Sequence, residues 1–337
     1  MAADRGAGTR GRNDELVSRL AMHRRTMLRI RAFEETAEAA AKEGLVKGAI
    51  HLSIGQEAVA AGVCANLRRD DLLASTHRGH GHTLAKGADP AAMMQELFGR
   101  AGGNCGGKGG SMHIADFAIG MLGANGVVAA NLPIAVGAAH ALKLQGKDAI
   151  CAVFFGDGAV NRGPFLEALN WAKIYGLPVL FVCEDNQWAA TTATRELTAG
   201  GGPASRAEAL GIESVAVDGN DVEAVDAATS RLAAEIRAGA GPRFLHARTY
   251  RLKGHTAADA GAYRKPEEVA ARWAEDPLVR LTARLASLGV TANELAAEER
   301  AARAEIAAAL AVATAAPWPD SAQAYAHVQD VGAGTWR

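Results

Sequence analysis

The sequence predicts an α/β protein built on a doubly wound parallel sheet, with helical N- and C-terminal extensions. Three features carry that prediction. Residues 150–189 run as strand, turn, helix and strand; two more strand-like segments, 214–217 and 243–250, alternate with helical ones; and Ala-rich helical sequence flanks this core. A strand–helix–strand crossover needs parallel strands in one sheet, and continued alternation widens that sheet.

Ile150–Phe155 is an apolar run rich in β-branched and aromatic residues, and it stops at Gly156-Asp157-Gly158. Phe165, Leu166, Leu169, Ala172 and Ile174 then recur near helical spacing, and a second apolar run, Leu177–Cys183, ends at Glu184-Asp185-Asn186. Both polar turns therefore fall at the carboxyl ends of neighbouring strands, the edge at which open α/β sheets bind ligands.

The residues in the two turns narrow the ligand. A dinucleotide site shows GxGxxG, whereas Gly156-Asp157-Gly158-Ala159-Val160-Asn161 lacks the third glycine and sets a carboxylate where a phosphate would lie. Two anions in one turn repel unless a cation separates them. Asp157 and the amide oxygen of Asn186, with phosphate oxygens and water, make an oxygen set suited to octahedral Mg²⁺.

GDG, followed about thirty residues later by Asn behind an apolar strand, resembles the thiamine diphosphate-binding motif. Its form here, residues 156–172, looks like that of 2-oxo acid dehydrogenase E1 α subunits of the pyruvate/acetoin type. The resemblance implies a thiamine diphosphate-binding fold. It assigns Asp157, Asn186 and the carbonyl of Trp188 to Mg²⁺, and Gly158 and Ala159 to the diphosphate. Asp185 stands where the family usually has Asn, and Trp188 where it usually has Tyr; neither exchange removes an implied ligand.

Along the chain, residues 1–12 are Gly-, Arg- and Ala-rich without periodicity and predict a disordered tail. Residues 13–337 then read as a single domain, its helical C-terminal extension starting near 266. Leu16, Leu20, Met27, Leu28, Ile30 and Phe33 mark a long helix over 14–42, ended by Gly44. Ser53 and Gln56 fit a capping box for a helix to about Leu67. His51 lies in the connection just before it, and by resemblance lines the active-site channel and assists the reaction.

Asp71–His82 reads as a short strand opening into a cationic, glycine-rich turn. His77, His80 and His82 share that turn, but no carboxylate or Cys stands among them, which argues against a metal site there. Arg78 suits a diphosphate, which its planar fork can bind. The family sets a Tyr-Arg pair on the diphosphate here, and His77-Arg78 occupies the place in a stretch closer to the acetoin-cleaving branch. His80 matches another active-site His.

A helix over about 90–98 precedes the glycine-rich residues 102–113, which resemble an ordered family loop near the cofactor. Gly126 and Val128 match backbone contacts to the aminopyrimidine; Ala124 and Ala129 stand where Gly is common. A small-residue helix follows over about 132–144. Beyond Ala189 a surface segment leads to a short helix at 205–210, the strand at 214–217, and a helix capped by Asp218–Asp221. The strand at 243–250 ends in a basic loop. By resemblance this is the mobile active-site loop, making Arg251 and His255 diphosphate or substrate contacts. Thr256 stands where animal relatives carry a regulatory Ser.

Composition sets bounds. With 337 residues, 49% of them hydrophobic, a large core is possible, and a net charge of −1 gives no long-range field for nucleic acid or an anionic membrane. No run is long enough to span a bilayer and the first residues hold no apolar signal core, so a cytoplasmic protein is expected. Cys64, Cys105, Cys151 and Cys183 form no CxxC pair and read as thiols rather than disulfides.

The resemblance implies an enzyme that decarboxylates a pyruvate-like 2-oxo acid or cleaves acetoin, and passes the acyl group to a lipoyl domain of an E2 acyltransferase. His51, His80 and His255 are its implied catalytic groups. It also implies a split site, because the chain shows one such α/β domain and no Glu in a pyrimidine-domain motif. An E1 β subunit then supplies that Glu in an α2β2 tetramer. Two other classes stay open at this point: a nicotinamide dehydrogenase with a degenerate fingerprint, and a cofactor-binding regulatory subunit. The set His51, Arg78 and His255 argues against the second.

Overall fold

The computed structural model describes residues 5–326, with side chains from Asn13 onward. Helices α1 (Arg5–Lys42) and α2 (Glu57–Cys64) precede strand β1 (Leu72–Ala74), and α3 (His80–Lys86) and α4 (Pro90–Leu97) lead to β2 (Met121–Gly123). The central unit is α5 (Asn131–Leu144), β3 (Cys151–Gly156), α6 (Gly163–Ile174) and β4 (Val179–Asp185). A small hairpin, β5 (Trp188–Ala189) with β6 (Thr192–Ala193), is followed by α7 (Gly202–Ala209), β7 (Ser214–Asp218), α8 (Val222–Glu235) and β8 (Arg243–Arg248). Three helices close the described chain: α9 (Pro266–Trp273), α10 (Pro277–Ser287) and α11 (Ala292–Ala315).

Six strands form a parallel sheet in the order β2-β1-β3-β4-β8-β7. From β1 the chain moves out to the edge at β2, then returns to β3 and builds in the opposite direction. The direction therefore reverses between β1 and β3, which is where such sheets open a crevice. The sheet is covered on both faces because its strands alternate between two apolar sets. Cys151, Val153 and Phe155 pack with α5 and α6, while Ala152 and Phe154 pack with α2 and α8. A further helical layer lies outside, where Ile30, Phe33 and Ala37 of α1 share a core with Ile306 and Ala313 of α11.

The expected fold class holds, with local corrections. The tail expected at 1–12 lies partly outside the described residues, and α1 begins inside it, at Arg5. The expected capping box does not form. Ser53 instead donates from its hydroxyl and its backbone N–H to Glu34 Oε1, at 2.7 and 2.9 Å, and α2 stops at Cys64. A buried carboxylate outcompetes a helix end because a charged acceptor makes the stronger hydrogen bond. Asp221 does cap α8, accepting from the N–H groups of Glu223 and Ala224 at 3.0 and 3.3 Å. All four Cys are free thiols, Cys105 half-buried and the others buried.

Three non-glycine residues adopt left-handed backbone near the carboxyl edge of the sheet: Ala129 at φ 72°, Gln187 at 69° and Ala190 at 52°. That conformation costs an L-residue about 1–2 kcal/mol. It gives a physical reason for the glycine common at the position of Ala129.

Candidate active site

The segments that follow β1, β2, β3, β4 and β8 surround one cavity of about 500 Å³, with His51 and Gln56 entering from the segment before α2. The sequence-marked residues His51, His77, Arg78, Gly126, Val128, Asp157, Gly158, Ala159, Asn186, Trp188, Arg251 and His255 all line it. His80 does not. It opens α3 fully buried, with Nδ1 2.9 Å from Glu34 Oε2 and Nε2 2.9 Å from Ser111 Oγ. Both ring nitrogens are spent inside the wall, so the expectation that His80 acts on substrate directly meets a side chain engaged elsewhere.

One part of the cavity wall is built of oxygen donors. Asp157 is 1% exposed and accepts the Thr194 hydroxyl; burial, with the charge of Asp185 adding to it, pushes its carboxyl up to about 7. For Asp185 burial acts the same way, but the hydrogen bond and charge of His246, 2.8 Å away, outweigh it and hold that carboxyl below its ordinary value. Asn186 donates to Gln56 Oε1 at 3.0 Å, and its own Oδ1 accepts from Trp188 N at 3.2 Å. Gly158 is needed sterically, since a Cβ there would sit 2.8 Å from Ala189 Cβ. A carboxyl driven toward neutrality by burial, with a second acid beside it, is a group that a hard dication relieves, and the oxygen donors fit Mg²⁺.

Another part of the wall is cationic. Arg78 and Arg251 are buried, and their hydrogen-bond acceptors are neutral: the carbonyls of Leu52 and His255 for Arg78, and the carbonyls of Ala190 and Lys253, the Tyr263 hydroxyl and, at 3.5 Å, His255 Nδ1 for Arg251. Burial, reinforced by Arg251, lowers the Arg78 guanidinium to about 9. Buried cations without a carboxylate partner are costly unless an anion joins them, and a diphosphate fits.

In the same cavity His51, His77 and His255 stack edge to face, with ring centroids 4.5, 4.8 and 5.6 Å apart. Burial, then the charge of Arg78, depresses these imidazoles to about 3, 2 and 4 respectively. They are neutral near pH 7. His51 Nδ1 and Gln56 Nε2 are buried polar atoms without a partner.

Several residues of the site escaped the sequence. Gln56 looked like half of a capping box. Thr194 reaches Asp157 from 37 positions away, a pairing no local pattern shows. Glu184 lines the cavity, held by His82 Nε2 at 3.1 Å, whose Nδ1 is 2.7 Å from Ser75 Oγ. Its place at the end of β4, beside Asn186, was a usable signal.

The family model described as "Dehydrogenase E1 component" matches residues 25–322. The chain belongs to the dehydrogenase E1 component family. Among relatives, the alpha subunit of acetoin:2,6-dichlorophenolindophenol oxidoreductase from Cupriavidus necator is 44% identical over 88% of this chain and 89% of its own length. The protein of the same name from Bacillus subtilis is 46% identical over 72% of this chain and 73% of its own. The pyruvate dehydrogenase E1 component subunit alpha of Zymomonas mobilis is 39% identical over 90% and 86%. E1 membership implies thiamine diphosphate as cofactor and agrees with the motif at residues 156–186. Nothing favours the nicotinamide alternative. Among the described residues of this E1 chain, no helix is long and apolar enough to cross a membrane.

Proposed function

We propose that this chain is the α subunit of a thiamine diphosphate- and Mg²⁺-dependent E1 enzyme that cleaves acetoin or decarboxylates a pyruvate-like 2-oxo acid, and passes the acyl group to a lipoyl domain of E2. The observation that carries it is one cavity lined both by oxygen donors around Asp157 and by the guanidiniums of Arg78 and Arg251, which have no carboxylate partner among the described residues. The 44% and 46% identities to acetoin-named relatives, against 39% to a pyruvate-named one, support acetoin as the first substrate to test. Steady-state assays of acetoin, pyruvate and branched 2-oxo acids with the reconstituted partner decide it; no turnover of any of them would overturn the assignment.

Bound thiamine diphosphate supplies carbanion stabilisation, which no side chain here offers. The chain supplies anchoring and proton handling. Asp157, Asn186 and the Trp188 carbonyl hold Mg²⁺; Gly158, Ala159, His77, Arg78 and Arg251 hold the diphosphate; Gly126 and Val128 meet the aminopyrimidine. His255 also contacts the diphosphate or substrate. His51 and His255, neutral at working pH, accept or return substrate protons. His80 acts through others, bracing Ser111 against Glu34.

Arg78→Lys keeps the charge and loses the planar fork, so it should weaken thiamine diphosphate by about 1–3 kcal/mol in calorimetry, the range of one charge-assisted hydrogen bond. Unchanged affinity would place Arg78 off the diphosphate. His51→Ala or His255→Ala should lower kcat by about 10²–10⁴ with little change in cofactor affinity for His51→Ala. A full-rate His51→Ala enzyme would remove that residue from proton transfer.

A β subunit and an α2β2 assembly are part of the same proposal. Val127 and Val128 stand exposed at the cavity rim, beside an apolar face formed by Ile134 and Leu144 of α5 and Leu166, Trp171 and Ile174 of α6. Leu144 is 79% and Ile174 66% exposed. Such a face beside an open cavity supports a subunit that covers both.

A further inference from the structure

We propose that His51, His77 and His255 form a binding site for a nitrogen-preferring transition-metal dication of the Zn²⁺ class, separate from the oxygen site at Asp157. Their ligand nitrogens all lie within 4.8 Å of one another. Zn–N bonds of about 2.0–2.1 Å in a tetrahedral shell set ligand nitrogens about 3.3 Å apart. The widest pair therefore has to close by about 1.5 Å, a movement of the size that side-chain rotation gives. The three rings come from three separate segments, before α2, after β1 and after β8.

A second observation is independent of this spacing. His51 Nδ1 is buried and has no hydrogen-bond partner, an unfilled lone pair or N–H that ordinary structure satisfies. The guanidiniums of Arg78 and Arg251 oppose a dication. They also favour an anion in the open fourth position, and three neutral ligands plus one anion is a familiar shell for Zn²⁺. Mg²⁺ prefers oxygen and does not compete here.

Occupation ties up His51 and His255, so the metal inhibits turnover; this consequence rests on the function proposed above, whereas the binding itself does not. The test is a titration of the full chain, free of cofactor, with Co²⁺ as the spectroscopic probe and Zn²⁺ as competitor. The expected result is visible d–d bands of a tetrahedral nitrogen site, displaced by one equivalent of Zn²⁺ and untouched by Mg²⁺. His77→Phe and His51→Ala should each weaken Zn²⁺ at least tenfold, while Asp157→Asn and His140→Gln leave it unchanged. Absence of the bands in the wild-type chain, or equal Zn²⁺ affinity in wild type and both cluster variants, would overturn the site. In the α/β complex, chelator-reversible inhibition by Zn²⁺ should be at least tenfold less sensitive in His77→Phe; equal sensitivity in the two would overturn the inhibitory role. A complex with no turnover at all contradicts the proposed function and leaves the Co²⁺ result standing.

Discussion

Asp157→Ala is expected to abolish magnesium-dependent binding of thiamine diphosphate while the chain stays folded. The carboxyl is the only acid lining the turn after β3, and Asn186 alone offers a neutral amide oxygen to the ion. The fold should tolerate the loss because the group is held in a costly form. A carboxyl whose folded value is raised, here to about 7 from 3.8, favours the fold while protonated and loses that contribution as pH climbs from about 4 through 7. Above pH 7 the magnesium-free variant should therefore melt no lower than the magnesium-free wild type. Thermal shift with Mg²⁺ and thiamine diphosphate, added singly and together, reads both effects. Retained magnesium-dependent stabilisation in Asp157→Ala would sink the metal assignment.

The second large effect is all-or-none. The chain expressed alone should show no decarboxylation or acetoin cleavage with an artificial electron acceptor, and co-expression with a β chain should restore it. Thiamine chemistry needs a carboxylate against the pyrimidine, and no carboxylate lines the cavity near Gly126 and Val128; those that line it, Asp157 and Glu184, belong to the ends of β3 and β4. The same region carries the exposed Val127 and Val128. Tethering the missing group from a second subunit also shields these residues. Full activity from the isolated chain, checked for a copurifying partner, would refute the split site.

The sequence made the centre of this molecule legible because β3 and β4 are buried on both faces, which leaves long uninterrupted apolar runs that end at polar turns. Asp157 and Asn186 follow directly from those ends. The walls were less legible, since they depend on pairings between distant segments. Ser53 turns to Glu34 rather than to its own helix, and Glu34, buried one turn after Ile30, is an acid whose partners Ser53 and His80 lie on other segments. Three His within residues 77–82 drew attention together, yet the fold separates them. His80 goes to Glu34, His82 to Glu184, and only His77 joins the cavity, meeting His51 and His255 instead. The helix starting at His80 is what parts them, because each step along it turns a side chain by about 100°.

The packing of α1 against α11 also fixes a timetable for synthesis. Ile30, Phe33 and Ala37 near the start of the chain are covered in part by Ile306 and Ala313 near its end. At roughly 5–20 residues per second on the ribosome, the apolar side of the first helix waits on the order of tens of seconds for its cover. Ser53 and His80 can reach Glu34, and Ser111 can reach His80, well before α11 is made, but the helix that carries Glu34 stays half-packed until then. Newly made chains are therefore open to chaperones and proteases along their oldest segment, and a nascent chain stalled before residue 292 should be cut there first.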